Sequence, residues 1–262
     1  MLQSSRSALL LTAGLLVATG CVQRGSNQLD GTAQDEWTRS YTLEEGGEVQ
    51  ITNSNGPIDV EGVDGNSVDV RIERVAHAST NEAAAEIVPR IGINEDVTPS
   101  KIALRVEGLS GIVIGVRISA TGHVRVPKTA TIRIRGNNGV SVKRMSGRVI
   151  INGTNGDVTA EDVSGGVEAR SVNGSANVTL SALRGELIDV RATNGHVNLT
   201  LPARPDANLN ATVNNGTIDL GELKLEPFGD QTPRRVRGKI NAGGPPIDVS
   251  ATNGNVTIRT AP

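Results

Sequence analysis

Ile188-Asp189-Val190-Arg191-Ala192-Thr193-Asn194-Gly195-His196-Val197-Asn198-Leu199 recurs fifty-nine residues later as Ile247-Asp248-Val249-Ser250-Ala251-Thr252-Asn253-Gly254-Asn255-Val256-Thr257-Ile258, with eight of twelve positions identical. Around Asn-Gly, apolar and polar residues alternate, the period of a strand with one buried face. Outward from this pair the unit repeats. A series of Asn-Gly pairs stands at 55-56, 138-139, 155-156, 173-174, 194-195, 215-216 and 253-254, with spacings from 138 onward of 17, 18, 21, 21 and 38. The last spacing is close to two periods of about 19 residues and the fifty-nine-residue offset is close to three. Asn-Gly tolerates positive φ and turns the chain tightly. A meander of hairpins needs no shared period, whereas a solenoid does, because each rung retraces the one beneath it.

Secondary turns at Ser146-Gly147, Ser164-Gly165 and Arg184-Gly185 divide the units into two or more short strands. The sequence therefore predicts an all-β fold, a single-chain β-helix or β-solenoid of short stacked strands with Asn-Gly turns. About six or seven rungs are expected after Asn138, roughly 4.8 Å apart, around a narrow column with one Val, Ile, Leu or Ala per rung. Asn155, Asn173, Asn194, Asn215 and Asn253 are expected to lie above one another, a structural ladder whose amides bond along the axis. One short helix is expected near residues 80–89, because Ser79-Thr80-Asn81-Glu82 reads as a capping box, Ala83 to Ile87 favour helix and Pro89 ends it.

Composition agrees with a stack. The 262 residues include 31 Gly and 21 Asn, but Trp37, Tyr41 and Phe228 are the only aromatic side chains, which excludes a core of large rings. With 26 basic and 28 acidic residues the net charge is −2. Phosphate-backbone binding requires a basic excess, so no nucleic-acid partner is expected.

The amino end reads as an export signal. Arg6 precedes an eleven-residue apolar run, Ala8 to Ala18, too short to span a membrane. Ala18-Thr19-Gly20 then leads into Cys21, the only cysteine. This segment resembles a bacterial lipoprotein signal. The resemblance implies removal of residues 1–20, lipidation of Cys21 and attachment to a membrane of the cell envelope, with Val22 pointing to the outer membrane. Residues 21–36 read as a flexible tether and 37–262 as the solenoid domain, less regular over 37–125 and regular over 126–262.

A Gly46-Gly47 strand start, the short Ala-rich helix, His123-Val124-Arg125-Val126-Pro127, Ile132-Arg133-Ile134-Arg135-Gly136-Asn137-Asn138-Gly139 and the repeated Asn-Gly units follow one another in an order that resembles the toast-rack family of bacterial proteins. Its members are often labelled adhesins and have no established activity. The resemblance implies a stacked β-helix and assigns no catalytic residue.

Chemistry is sparse in the remaining residues. His77, His123 and His196 stand alone, away from metal-ligand spacing, so no metal and no cofactor are expected. Asp59, Asp189, Asp219 and Asp248 recur in Ile-Asp-Val or Ile-Asp-Leu triplets, where stacked carboxylates could hold Ca²⁺ or act as an acid pair on polysaccharide. However, Asp189 and Asp248 precede their Asn-Gly by five residues and the other two follow theirs by four, so the four cannot share one row. They read as solubilising charge. Arg234, Arg235, Arg237 and Lys239 lie in a stretch that breaks the repeat, read as a loop that could touch anionic envelope groups. Three functions are compatible with these residues. The first is a non-enzymatic, lipid-anchored envelope protein whose flat polar surface binds protein or glycan. The second is a structural or regulatory lipoprotein that assembles through an open solenoid edge at the last rung. The third, a polysaccharide-active β-helix enzyme, needs an acid cluster that the sequence does not supply.

Overall fold

The computed structural model describes residues 29–109 and 114–262; the expected signal peptide and Cys21 lie outside the described residues. Its first part contains β1 (Gly31–Thr42), β2 (Glu48–Asn53), β3 (Ile58–Val63), β4 (Ser67–Ala78), helix α1 (Asn81–Ile87) with a following 3-10 turn (Val88–Arg90), β5 (Ile93–Thr98), β6 (Lys101–Val106) and β7 (Arg117–Pro127). The regular repeats are β8 (Thr131–Gly136) with β9 (Val140–Met145), β10 (Val149–Asn155) with β11 (Val158–Val163), β12 (Val167–Asn173) with β13 (Ala176–Leu180), and β14 (Ile188–Asn194) with β15 (Val197–Leu201). The last part holds β16 (Ala207–Asn215), β17 (Ile218–Asp219), β18 (Glu226–Pro227), β19 (Arg235–Ile240), β20 (Pro246–Asn253) and β21 (Val256–Thr260).

Each repeat places one strand in each of two facing sheets. The first sheet runs β1-β4-β7-β3-β9-β11-β13-β15-β21-β17 and the second runs β18-β19-β16-β20-β14-β12-β10-β8-β2-β6-β5. The fold is therefore a flattened β-solenoid, parallel through its middle and antiparallel at its ends. The core is broader than one apolar side chain per rung. Ile188, Val190 and Ala192 of β14 and Val197, Leu199 and Leu201 of β15 are all buried, because period-2 alternation turns every second residue of both strands toward the space between the sheets. Trp37 and Tyr41 sit on β1, and Phe228 is exposed, so the column holds no ring.

The stack departs from chain order at both ends. The turn β16–β17 is laid down as the outer one, and the chain then makes β18 and β19 before β20 and β21 insert between the outer turn and β14–β15. The fifty-nine-residue offset is thus a single rung rather than three periods: Ile188 pairs with Ile247 and Asn194 with Asn253, so the two most similar segments are direct neighbours. The 38-residue spacing is likewise one rung, Asn215 against Asn253, and the residues between form the excursion through β19. Counted from the β8–β9 turn, which holds Asn138, six turns are stacked, at the lower bound of the expected six or seven: β8–β9, β10–β11, β12–β13, β14–β15, β20–β21 and β16–β17. The other end mirrors this, with β2–β3 held between β6–β7 and β8–β9. The last rung of the chain is accordingly not the end of the stack: β20 lies between β14 and β16, and β21 between β15 and β17, with the two-residue β17 covering Val256 and Thr257 alone.

Two expectations about the amino half also change. Residues 31–36 are strand, not tether, since Gly31 pairs with Ala78 and Glu36 with Glu73 along β4. Within 31–36 only Gly31 and Ala33 are shielded from solvent and neither supplies a large apolar side chain, which is why the stretch reads as linker. The division at 125/126 falls inside β7, so the irregular and regular parts share both sheets. Helix α1 begins one residue later than a box based on Ser79 would place it: Thr80 is the cap and its hydroxyl accepts from the Ala83 N–H at 3.2 Å. Ala84 and Ile87 then pack with Ala76, Ala78 and Val88 over the extended end of β4.

The Asn-Gly positions stack. Side-chain amides donate from Asn155 to Asn137 (2.9 Å), Asn173 to Asn155 (3.0 Å), Asn194 to Asn173 (2.9 Å), Asn253 to Asn194 (2.9 Å) and Asn215 to Asn253 (2.8 Å). Asn137 extends the row, and Asn253 stands before Asn215 because of the strand insertion. The glycine beside each asparagine answers to space as well as to turning. A Cβ on Gly195 would meet the Gly174 carbonyl oxygen at 2.1 Å, and one on Gly254 would meet the Gly195 carbonyl oxygen at 2.0 Å.

Gly195→Ala is therefore expected to destabilise the protein by about 3 kcal/mol through overpacking. Gly185→Ala has positive φ but an open surround and is expected to lose about 1 kcal/mol. Urea unfolding of the two variants checks the ranking, and equal losses would refute the packing explanation. Deleting residues 246–262 should prevent folding rather than shorten the stack by one rung, because it removes an internal turn; circular dichroism of the deletion variant reads this directly.

Candidate functional site

Lateral register converts the strand sequences into rows on the outer face of the second sheet. One row runs Arg105, Thr52, Arg135, Asn152, Arg170, Arg191, Ser250, Thr212, Arg235 from β6 to β19. The row two residues back runs Ala103, Gln50, Arg133, Ile150, Glu168, Asp189, Asp248, Asn210, Arg237. In the middle, arginines and acids interleave. Arg148 and Arg170 bracket Glu168, while Arg170 reaches Asp189 at 2.9 Å and Arg191 reaches its other oxygen at 2.6 Å. Asp189 is only 4% exposed, a burial that a carboxylate tolerates because both oxygens are paired. Asp248 accepts from the Asn210 amide at 2.8 Å.

The four recurrent aspartates therefore form two pairs in two sheets. Asp189 and Asp248 are direct neighbours. Asp59 and Asp219 share a row of the first sheet six strands apart, separated by Ser141, Thr159, Asn177, Asn198 and Thr257. Asp59 faces His123 at 3.4 Å and Asp219 is clamped by Arg259 at 3.0 and 2.5 Å. His77 meets the Thr32 hydroxyl at 3.0 Å, and His196 accepts from the Asn255 N–H at 3.0 Å. Among the described residues no group of three His, Cys, Asp or Glu side chains is placed to hold one metal ion.

The basic residues read as a loop are mostly strand. Arg235, Arg237 and Lys239 alternate on β19, which pairs with β16, so all three stand on this same outer face; only Arg234 lies in the preceding turn. Sequence spacing missed this because the excursion pairs antiparallel and carries no Asn-Gly. Lys239 is paired with Glu226 at 2.8 Å, whereas Arg234, Arg235 and Arg237 have no carboxylate within 4.0 Å among the described residues.

At the far end of the face lies a second basic group, missed from sequence although Ile132-Arg133-Ile134-Arg135 shows the alternation that exposes it. Arg105 and Arg135 flank Thr52 from the two neighbouring strands, and neither meets a carboxylate within 4.0 Å among the described residues. With Arg133, Glu48, Gln50, Ile51 and Thr52 they line a shallow groove of about 380 Å³. Glu48 accepts from Gln50 at 2.5 Å and from Arg133 at 3.1 Å, and these bonds, Gln50 first, hold its carboxyl below the usual carboxylate range.

Two facing sheets of stacked parallel turns, with Asn-Gly at one corner, also describe what the Toastrack DUF4097 family model matches over residues 120–259. The chain belongs to that family. Among solved structures, a Clostridium sporogenes protein named a "putative cell adhesion protein" is similar at 11% identity and a TM-score of 0.50, over 87% of this chain and 100% of that one. A Bacteroides fragilis "putative adhesin" aligns over 87% of this chain and 97% of that one at 14% identity, with a TM-score of 0.34. No curated protein matches the chain. In this Toastrack chain the groove lined by Arg105, Arg133 and Arg135 is built partly by β2 and β6, which precede the family match.

Folding holds the Glu48 carboxyl below its ordinary value of 4.5, so its contribution to stability is complete above that value and is lost as pH falls through the lower folded one. Thermal unfolding from pH 6 to about pH 3 should show a smaller acid-induced loss in Glu48→Gln than in the wild type, and identical slopes would show that Glu48 is not so held.

Proposed function

We propose that this Toastrack protein is a non-enzymatic envelope lipoprotein, anchored through Cys21 to the outer membrane, whose second sheet presents its outer face to a glycan or protein. One observation carries the reading: polar groups stand on that face in straight rows, and arginines toward both ends, Arg105 and Arg135, Arg235 and Arg237, have no carboxylate within 4.0 Å among the described residues. A flat, rigid, hydrogen-bonding face with uncommitted cations suits recognition. Its carboxylates suit catalysis poorly, since Asp189 is committed to two arginines and Asp248 to Asn210. The name of the Clostridium sporogenes protein points the same way.

Assembly through a sheet edge is the second reading, and its place moves. The edges β17 and β18 are two residues each, while β1 at the other end is twelve residues long with one neighbour, β4. Asp35, Glu36 and Arg39 on β1 are the kind of edge charges that oppose strand addition, which favours the face over the edge.

The test uses the full-length chain. Wild type should partition with detergent and capture an envelope glycan or protein fraction in a salt-sensitive manner. Cys21→Ser should abolish the partitioning, and replacing Arg105, Arg135, Arg235 and Arg237 with Gln should abolish the capture. Partitioning that survives Cys21→Ser would remove the anchor, capture that survives the four substitutions would remove the face, and concentration-dependent oligomers without capture would favour the edge.

A further inference from the structure

The second sheet shows how it satisfies its own arginines, and we infer from this that the groove around Thr52 binds a carboxylate of an acidic, uronate-bearing polysaccharide laid across the strands. The inference rests on the binding-face reading above and names the ligand class. In the middle of the face each carboxylate is held between two arginines: Glu168 by Arg148 and Arg170, Asp189 by Arg170 and Arg191. At the β6-β2-β8 end the arginines persist but the residues between them are neutral, with Thr52 between Arg105 and Arg135 in one row and Gln50 beside Arg133 in the next. Glu48 does not neutralise this pair, being bonded to Gln50 and Arg133. A ligand carboxylate over Thr52 would take from Arg105 and Arg135 what Asp189 takes from Arg170 and Arg191, with the Thr52 hydroxyl as a further donor. Arginine suits this because its planar fork bonds a carboxylate in bidentate fashion, which a lysine cannot do.

The polymer is chosen by what surrounds the groove. In the two rows the apolar side chains are Ala103 and Ile150, and Ile150 is buried. A bound peptide draws most of its affinity from apolar and aromatic anchors seated in pockets, and these rows offer none. Hydroxyl and amide groups continue across the face instead, Asn152 next to Arg135 and Ser250 and Thr212 beyond Arg191. Rungs repeat about every 4.8 Å, close to the advance of an extended glycan per sugar ring, so successive hydroxyls can meet successive strands. A chain of net charge −2 leaves nucleic acid an unsuitable occupant.

The experiment titrates the full-length protein with oligogalacturonate, a neutral cello-oligosaccharide and oligoglutamate, following binding by calorimetry at low and high salt. Oligogalacturonate should bind most tightly and weaken as salt rises. Arg105→Gln/Arg135→Gln should lower its affinity by about tenfold or more, since each hydrogen bond to a charged group is worth roughly that factor. Arg117→Gln/Arg204→Gln, which removes the same charge from β7 of the first sheet and from the connection between β15 and β16, should leave it within about twofold. Unfolding midpoints of both variants should match the wild type, as the substituted side chains are exposed and have no acidic partner. Equal affinity for the neutral oligosaccharide, tighter binding of oligoglutamate, or unchanged affinity in Arg105→Gln/Arg135→Gln would each overturn the assignment. If oligogalacturonate fails while envelope capture remains sensitive to the four arginines of the face, the ligand class falls and the binding face stands; if capture is insensitive to them, the face itself falls.

Discussion

Stacking of parallel turns at a rung separation of about 4.8 Å constrains every other feature of this protein. At that distance an asparagine amide reaches the amide of the next rung, and the six-residue row from Asn137 to Asn215 follows the strand order. The same closeness leaves no space for a Cβ beside the ladder, where the Gly195 and Gly254 positions lie against the carbonyl of the adjacent turn. Exposed amide bonds contribute little each, about 1 kcal/mol, so the ladder acts chiefly by fixing register. Once register is fixed, each inward residue meets its like in the core and each outward residue joins a row. The character of the surface is decided at the corners of the stack.

A regular stack leaves strand edges at each end, which can pair with any other chain. Here the problem is met by topology. The first and last turns of the repeat are drawn into the interior, and the exposed positions are taken by strands that are short, as β17 and β18 are, or charged, as β1 is. The cost is loop closure over long excursions, which grows only slowly with loop length. Near-identity of 188–199 and 247–258 follows from this arrangement, since the inserted turn packs directly against the one it resembles.

Repetition is what made the fold legible in the sequence. Asn-Gly at nearly constant spacing reveals a solenoid, and alternation such as Val197-Asn198-Leu199-Thr200-Leu201 reveals which side chains are buried. Order within the stack was hidden, because a period says that turns are equivalent but not which are neighbours. Asn253 beside Asn194 and Asn215 beside Asn253 both fit a simple succession of periods, and only pairing shows that each is one step. For the same reason the sequence separated Asp189 and Asp248 from Asp59 and Asp219 by phase, yet could not show that the first pair are neighbours on adjacent strands and the second lie six strands apart. The groove was least legible. Arg105, Thr52 and Arg135 come from segments up to 83 residues apart, and they meet because β2 is held between β6 and β8.

Charge spacing explains why the second sheet carries acids in one place and not in another. Arg170 and Arg191 are one rung apart, and two unit charges at about 5 Å repel by roughly 1 kcal/mol in water and several times that near a protein surface. Glu168 and Asp189 relieve that repulsion, and Asp189 is drawn into near-complete burial as a result. Arg105 and Arg135 are two rungs apart, at about 10 Å, close to the screening length of physiological salt, so their mutual repulsion is roughly half as large before screening and smaller after it. The fold can carry this second pair without internal acids. Stability asks nothing of the residues between them, and a neutral Thr52 there leaves both guanidinium groups free to bind an external carboxylate.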